Sequence, residues 1–425
     1  MAEREDEGQV ARRSSTTSRA DGALRILYLS WRDRENPEAG GAETFTERTS
    51  EVLTAQGHEV VIHTARFPGA RREDRHGDVV VRRRGGRFTC YLHGLWHVLR
   101  HGHEYDVVLD VQNGVPFWSP LVSPVPVIDV VHHVHKDQWS AVFGPRLARL
   151  GWALESRLAP RVYRRSRYVT VSRSTRDELV GLGVDRERVD LVYSGNDRPA
   201  DLDTYAALPR TPEPSLLFLG RLVPHKHVEQ AVDLLAELEV DHPGLVLHVV
   251  GDGYWADEIV AHARERGVAD RVRMHGFVSE EDKHRLLATS WVVVMPSHKE
   301  GWGLTIVEAG LHGTPAVAYS FAGGPSESMV HGRTGLLADN RAQLEEHVRT
   351  LLDDPCLRED LGRAARTYAA SFDWHRTGLR LEHVIASVLG LAPRHQDDVI
   401  DLDALLAPRD AALEHRLPEP EPLRA

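Results

Sequence analysis

Short apolar runs recur along the chain, and between them lie longer segments whose apolar residues repeat at helical spacing. Leu24–Ser30 (LRILYLS) reads as a buried strand, Ala42–Gly57 as a helix closed by its glycine, and His58–Ala65 as the next strand. That order is a βαβ unit, the building block of right-handed parallel sheets. Further strands are expected at Asp78–Val81, Asp106–Val111, Val125–Val131 and Tyr168–Val171. The proline-rich stretch Thr211–Ser215 (TPEPS) interrupts the pattern, and the alternation then restarts. Beyond it come LLFLG, LVLHVVG, RVRMHG, WVVVMP and PAVAY, with helices expected from Val228, Tyr254, Glu280 and Leu304 in the gaps. The interruption favours two doubly wound α/β domains in series over a single barrel. The expected domains are 23–208 and 209–373, followed by a helix over 374–392 that packs back on the first. Residues 1–22 and the acidic, proline-rich 393–425 are expected to be disordered.

Composition fits this picture. A chain of 425 residues exceeds one ordinary core. Its two cysteines, Cys90 and Cys356, lie far apart and point to a reducing compartment without a disulfide framework. The charged N-terminus shows no apolar leader, and the most apolar region, Val107–Val131, is broken by Asp110, Asn113 and Asp129. The expectation is a cytoplasmic protein with no membrane span. A net charge of −11 argues against a general nucleic-acid binder. Basic charge is nearly all arginine; Lys136, Lys226, Lys283 and Lys299 are the only lysines, so each invites attention. Arginines cluster, with eight between Arg66 and Arg87 and nine between Arg146 and Arg176. These read either as solvated surface or as contacts of the N-terminal half with an anionic partner such as acidic lipid.

The stretch Ser297–Gly310 (SHKEGWGLTIVEAG) sets Glu300 and Glu308 eight residues apart, with Gly301 and Gly303 between them. It reads as a strand end, a loop and a helix over Leu304–Leu311, stopped by Gly313 and Pro315. In open α/β sheets ligands sit beyond the carboxyl ends of strands, where helix N-termini offer free N–H groups. The glycines let backbone approach an anion, and the helix start at Leu304 and Thr305 suits a phosphate. Two carboxylates beside a phosphate make sense if the ligand also carries hydroxyls, as sugars do. The segment FLGRLVPHKHVEQAV adds Arg221 and Lys226, a guanidinium and an ammonium suited to a diphosphate. Singly, each feature could be a surface charge or a helix-side ion pair.

In combination, GRLVPHK, MHGFVSEEDKHRLL, MPSHKEGWGLTIVEAGLHGTPAVAY and GGPSESMVHGRTGLL resemble the retaining glycosyltransferases of family four. The glutamate pair matches that family's E-x7-E motif. EAGGAE after the first strand resembles its glycine loop, and VPVIDVVH its strand ending in histidine. The resemblance covers about Arg25 to Trp374. It implies a GT-B fold, two Rossmann-like domains facing a cleft, with the acceptor on the first and the nucleotide-sugar donor on the second. It implies transfer of a hexose-type sugar with retention, without a divalent metal or a cofactor. Arg221 and Lys226 would bind the donor diphosphate, helped by backbone N–H groups of Gly303, Leu304 and Thr305. Glu300 would contact the sugar hydroxyls and Glu308 the ribose, with backbone near Phe277 and Val278 holding the base. Gly40 and Gly41 would close on the diphosphate from the other domain, and His132 would contact the sugar near its reacting carbon. His132, Glu300, Arg221 and Lys226 are thus the implied catalytic set. One departure is Ser194-Gly195, where the family usually has Asn-Gly.

The acceptor wall is expected from Asn113, Phe117, Trp118, His133, His135 and Trp139. Aromatic rings beside histidines suit stacking on a sugar or cyclitol, and an ordinary aromatic core is the alternative. A metal on these histidines lacks a cysteine or carboxylate set to complete its shell. His93, His97 and His101 share a helix face and read as packing or acceptor-side residues. The expected acceptor is a hydroxyl of a cell-envelope glycolipid or polysaccharide precursor, reached in peripheral contact with the inner membrane face. A soluble aminocyclitol or antibiotic-type acceptor is the alternative. An epimerase or phosphorylase of the same fold, and an idle scaffold, are the other classes.

Overall fold

Strands buried on both faces need helices on both faces, and the apolar runs of this chain meet that condition. In the computed structural model, which describes residues 22–395 and Ile400, they form two sheets. The disordered tails expected over 1–22 and 393–425 lie, apart from Gly22, residues 393–395 and Ile400, outside the described residues. The first sheet uses β1 (Arg25–Leu29), β2 (Glu59–Thr64), β3 (Glu73–His76), β4 (Val79–Arg83), β5 (Val107–Gln112), β6 (Val127–Val131), β7 (Arg167–Thr170) and β8 (Val189–Leu191). Their order is β3-β4-β2-β1-β5-β6-β7-β8, parallel except for the β3–β4 pair. All residues of β5 and β6 are buried.

The second sheet uses β9 (Ser215–Leu219), β10 (Val246–Val250), β11 (Val272–Gly276), β12 (Val292–Met295), β13 (Ala316–Tyr319) and β14 (Gly335–Ala338), in the order β11-β10-β9-β12-β13-β14. Each sheet reverses its strand order once, between β1 and β5 in the first and between β9 and β12 in the second. Loops leaving the carboxyl ends at such a reversal diverge and open a crevice. Here the two crevices form one cleft. Gly301 comes so near the first sheet that a Cβ there would sit 2.4 Å from the His132 carbonyl oxygen.

The chain finally returns to its first half. The helix Trp374–Leu389 packs on the helix Gly41–Ala55, where Gly378 leaves no room for a Cβ beside Val52. Its Glu382 carboxylate lies 3.0 Å from His58 Nε2. Gly195 lies against the start of this helix, with an added Cβ only 2.4 Å from the Trp374 nitrogen. That close approach gives the glycine of the Ser194-Gly195 turn a packing reason.

The sequence pattern misses β3, β8 and β14. All three are sheet edges, and β3 (EDRH) carries no apolar residue at all. An edge strand meets one neighbour, so the side chains of β3 need not announce burial; β14 (GLLA) is apolar and mostly buried but only four residues long.

Candidate active site

The loop after β9 carries Arg221 and Lys226, and the loop after β12 carries Glu300, Gly301 and Gly303. These loops flank the reversal point of the second sheet, which is why residues 74 or more positions apart meet. Lys226 forms an ion pair with Glu300. Burial pushes the Glu300 carboxyl up, but the Lys226 ammonium and its hydrogen bond outweigh that, so the net shift is below the usual carboxylate range. Gly303 stands at φ +95°, in the left-handed region glycine favours, and starts the helix Leu304–Leu311. The first N–H groups of that helix have no preceding turn to bind them. The Thr305 hydroxyl donates to the Leu219 carbonyl at 3.1 Å and fixes this helix start to the end of β9.

Arg221 lies against the first domain's glycine loop, where a Cβ on Gly40 would sit 3.2 Å from its Nε. It donates to the Glu38 carbonyl at 3.4 Å, and among the described residues no carboxylate forms a salt bridge with it. Burial and the neighbouring Arg32 guanidinium push its pKa down, as expected of a cation short of counter-charge. The glycine loop is itself held: the Gly40 N–H donates to Glu43 Oε2 at 2.7 Å, and Arg32 Nε donates to Glu43 Oε1 at 3.0 Å. Gly41 faces Leu304, with 3.0 Å between an added Cβ and the leucine Cδ1.

Further along the cleft, Glu308 accepts from Lys283 Nζ at 3.2 Å, and Lys283 also pairs with Glu280 at 2.6 Å. Phe277 and Val278 follow β11 at the rim, Phe277 being 69% exposed. Across the cleft, His132 directly follows β6. Burial and His135 push its pKa down to about 4, so its imidazole is neutral, and its buried Nε2 has no hydrogen-bond partner. Together these residues enclose a cavity of about 420 Å³.

Of the expected acceptor residues, Asn113, His133 and His135 line the cleft. A π-turn at Leu154–Leu158 aims Glu155 inward, and its carboxylate accepts from the His135 backbone at 3.0 Å and the Trp139 indole at 2.6 Å. His135 Nε2 lies 3.0 Å from the Asn113 amide. Phe117, Trp118 and Trp139 do not border the cleft, contrary to expectation. Phe117 is fully buried beneath the helix Cys90–His101, whose Gly94 makes room for its ring. Trp118 packs into the same core. Trp139 fills the space left by Gly114 and Gly151, oriented by its bond to Glu155. His97 bonds the Tyr105 hydroxyl at 3.0 Å and stacks on His63, a packing role away from the cleft.

Sequence reasoning did not assign Arg32, Gln112 or Lys283 to the site, yet all three line it. The scarcity of lysine was the available signal. Three of the four, Lys226, Lys283 and Lys299, stand in this cleft.

Two family models match, "Glycosyltransferase Family 4" over residues 39–198 and "Glycosyl transferases group 1" over residues 206–368. Glycogen synthase of Mycobacterium tuberculosis is 31% identical over 388 residues, 83% of this chain and 92% of that one. The chain belongs to glycosyltransferase family 4. The D-inositol 3-phosphate glycosyltransferase of Segniliparus rotundus is 28% identical over 410 residues, covering 86% of the transferase and 88% of its relative. In fold, the transferase is similar to sucrose-phosphate synthase from Thermosynechococcus elongatus, with a TM-score of 0.72 and 20% identity over 86% and 99% of the two chains. Anabaena HepE in complex with UDP and glucose gives 0.66 and 19% over 86% and 100%. The two sheets are thus the two halves of a GT-B glycosyltransferase, an enzyme class that uses nucleotide sugars.

Buried neutral histidines make one prediction. His63 and His312 are pushed down to about 3, and His97 and His132 to about 4, in each case chiefly by burial. Unfolded histidines titrate near 6.5, so between that value and pH 4 the unfolded chain binds more protons. Stability is therefore full above pH 6.5 and falls as pH drops. A melting temperature that falls steeply from pH 7 to pH 5 is expected; a flat profile over that range would contradict the neutral burial of these rings.

Proposed function

We propose that the enzyme transfers a hexose from a nucleoside diphosphate hexose to an acceptor hydroxyl, with retention of anomeric configuration and without a divalent metal. The observation that carries this is the convergence of Arg221, Lys226 and the Leu304–Leu311 helix start beside Glu300 and Glu308, opposite His132. Two cations and a helix N-terminus stabilise charge that grows on a departing diphosphate. Glu300 holds hydroxyls of the sugar, Glu308 those of the ribose, and the exposed rim at Phe277 and Val278 holds the base.

His132 and Glu300 bracket the sugar, and the acceptor approaches from the Asn113–His135 wall on the face the diphosphate leaves. Same-face attack passes through an oxocarbenium-like state, in which the new bond forms as the old one breaks. The leaving phosphate accepts the acceptor proton, so positioning and phosphate stabilisation are the protein's main work.

The acceptor on this reading is a polysaccharide or cell-envelope glycolipid precursor. The polar wall of Asn113, His133 and His135 suits a hydroxyl-rich ring, and the relative with 31% identity is named a glycogen synthase. Screening UDP, ADP and GDP by thermal shift identifies the nucleotide, since a ligand of the native state raises the melting point. Product NMR then reads the anomeric configuration, and inversion would overturn the mechanism.

Metal independence gives a further expected result. Arg221 and Lys226 already supply the positive charge that a diphosphate needs. One Asp-x-Asp triplet, Asp201–Asp203, stands at the start of a short helix outside the cleft, where Asp203 pairs with Arg366; another, Asp401–Asp403, lies outside the described residues. Turnover should persist after exhaustive chelation. Complete loss rescued by Mg²⁺ would refute this point.

A further inference from the structure

The helix Cys90–His101 buries a narrow face, Cys90, Gly94 and Val98, against the first sheet. Its opposite face is apolar too. Leu92 is 68% exposed, Trp96 59% and Leu99 66%, and Phe88, just before the helix, is 72% exposed. Positions 88, 92, 96 and 99 follow helical spacing, so these side chains form one stripe. An outward stripe of four large apolar residues calls for a partner.

The charge around the stripe indicates which partner. Between Asp78 and Glu104 the chain has five arginines and no acidic residue; of these, Arg83 is buried against Asp33 and Arg82 pairs with Glu73. Arg87 and Arg100 are exposed beside the stripe. A second surface has the same chemistry. Between Gly144 and Arg176 stand nine arginines and one acid, Glu155, which is buried. Its exposed Leu147 and Leu150 alternate with exposed Arg146 and Arg149. Side chains of both segments pack in one core on one face of the first sheet, so the two surfaces belong to one layer.

We propose that this layer docks the enzyme on an anionic phospholipid surface, with the Leu92–Trp96–Leu99 stripe inserted at the interface and the arginines on the headgroups. Apolar insertion combined with cationic contact is how interfacial helices bind acidic bilayers. A second copy of this chain fits poorly, because pairing two such faces sets arginines against arginines. Segregation of this cationic face within a chain of net charge −11 is also what orientation toward an acidic surface requires. The stripe begins beside the cleft: Arg87 lies 5.4 Å over the Trp31 ring, and Arg32, which lines the cleft, stacks on the same ring at 4.1 Å. Docking therefore brings the cleft mouth to the lipid surface. The proposal concerns where the enzyme works and does not depend on the donor assignments.

Co-sedimentation tests it on the full chain, using phosphatidylcholine vesicles with and without phosphatidylglycerol. Binding to the anionic vesicles at low salt is expected, with about tenfold weaker partition on neutral vesicles or at high salt. Leu92→Asp combined with Trp96→Asp should lower partition by about tenfold. Arg146→Gln with Arg149→Gln should lower it and flatten the salt dependence. Nucleoside diphosphate binding by calorimetry should match the wild type in both variants, which also shows that they are folded. No binding of the wild type to anionic vesicles at low salt overturns the proposal, as does binding that neither variant changes. A concentration-dependent dimer that the aspartate variant dissociates would assign the stripe to a second copy and overturn it as well.

Discussion

Replacing Lys226 with alanine is expected to lower turnover by about 100- to 1,000-fold while the fold survives. On the proposed function the ammonium stands where charge develops on the departing phosphate, and a preorganised donor there acts most strongly in the transition state. Without ligand it already carries a partner, because Lys226 and Glu300 form an ion pair. An ammonium has three donors, so Lys226 can keep Glu300 and still reach a phosphate oxygen. Removing it has two effects: the diphosphate loses a charge-assisted contact of about 1.5–3 kcal/mol, and Glu300 is left largely buried without its counter-charge. Lys226→Arg should recover little, since the planar fork does not replace a compact ammonium in that position. Arg221→Ala should show a similar loss, through the cation that bridges to the Gly40 loop. Calorimetry of nucleoside diphosphate binding together with single-turnover kinetics checks both variants. Wild-type affinity and turnover in either one would remove that residue from the site.

Much of this site was legible because its signals are local. The glycines and helix start of Ser297–Gly310, and the strand end before Arg221, announce a loop and a helix N-terminus at a strand's carboxyl end within one short segment each, and the structure brings the two together. Cooperation between separate loops and helices was not local. Nothing in the spacing of Arg32, Glu43 and Gly40 says that the arginine fixes the glycine loop through the glutamate; only the fold brings the Arg32 loop beside that helix start. Lys283 was visible as a scarce residue but lay unassigned, since its partner Glu308 sits on another helix. The aromatic wall failed for a different reason. Phe117, Trp118 and Trp139 look the same in sequence whether they face a ligand or a core, and here glycines at 94, 114 and 151 opened room behind the cleft. A large ring takes such a space because burial of its surface and one bond for the indole N–H are both met there.

The two glutamates should separate cleanly under conservative substitution. Glu300→Gln is expected to cut turnover of the intact donor by about 100-fold, yet leave binding of the bare nucleoside diphosphate unchanged or slightly tighter. The bare ligand has no sugar for Glu300 to hold, and the substitution frees Lys226 from its carboxylate, leaving a stronger field for the phosphates. Glu308→Gln is expected to weaken both ligands by about tenfold, because the ribose is common to them and a carboxylate acceptor gives way to a neutral one. Lys283 orients that carboxylate at 3.2 Å, so Lys283→Met should reproduce part of the Glu308 defect and leave the Glu300 signature absent. The comparison needs only two measurements for each variant: affinity for the bare nucleotide and turnover of the intact donor. If Glu300→Gln and Glu308→Gln weaken the bare nucleotide equally, the carboxylates do not divide sugar from ribose, and the donor lies differently in the cleft.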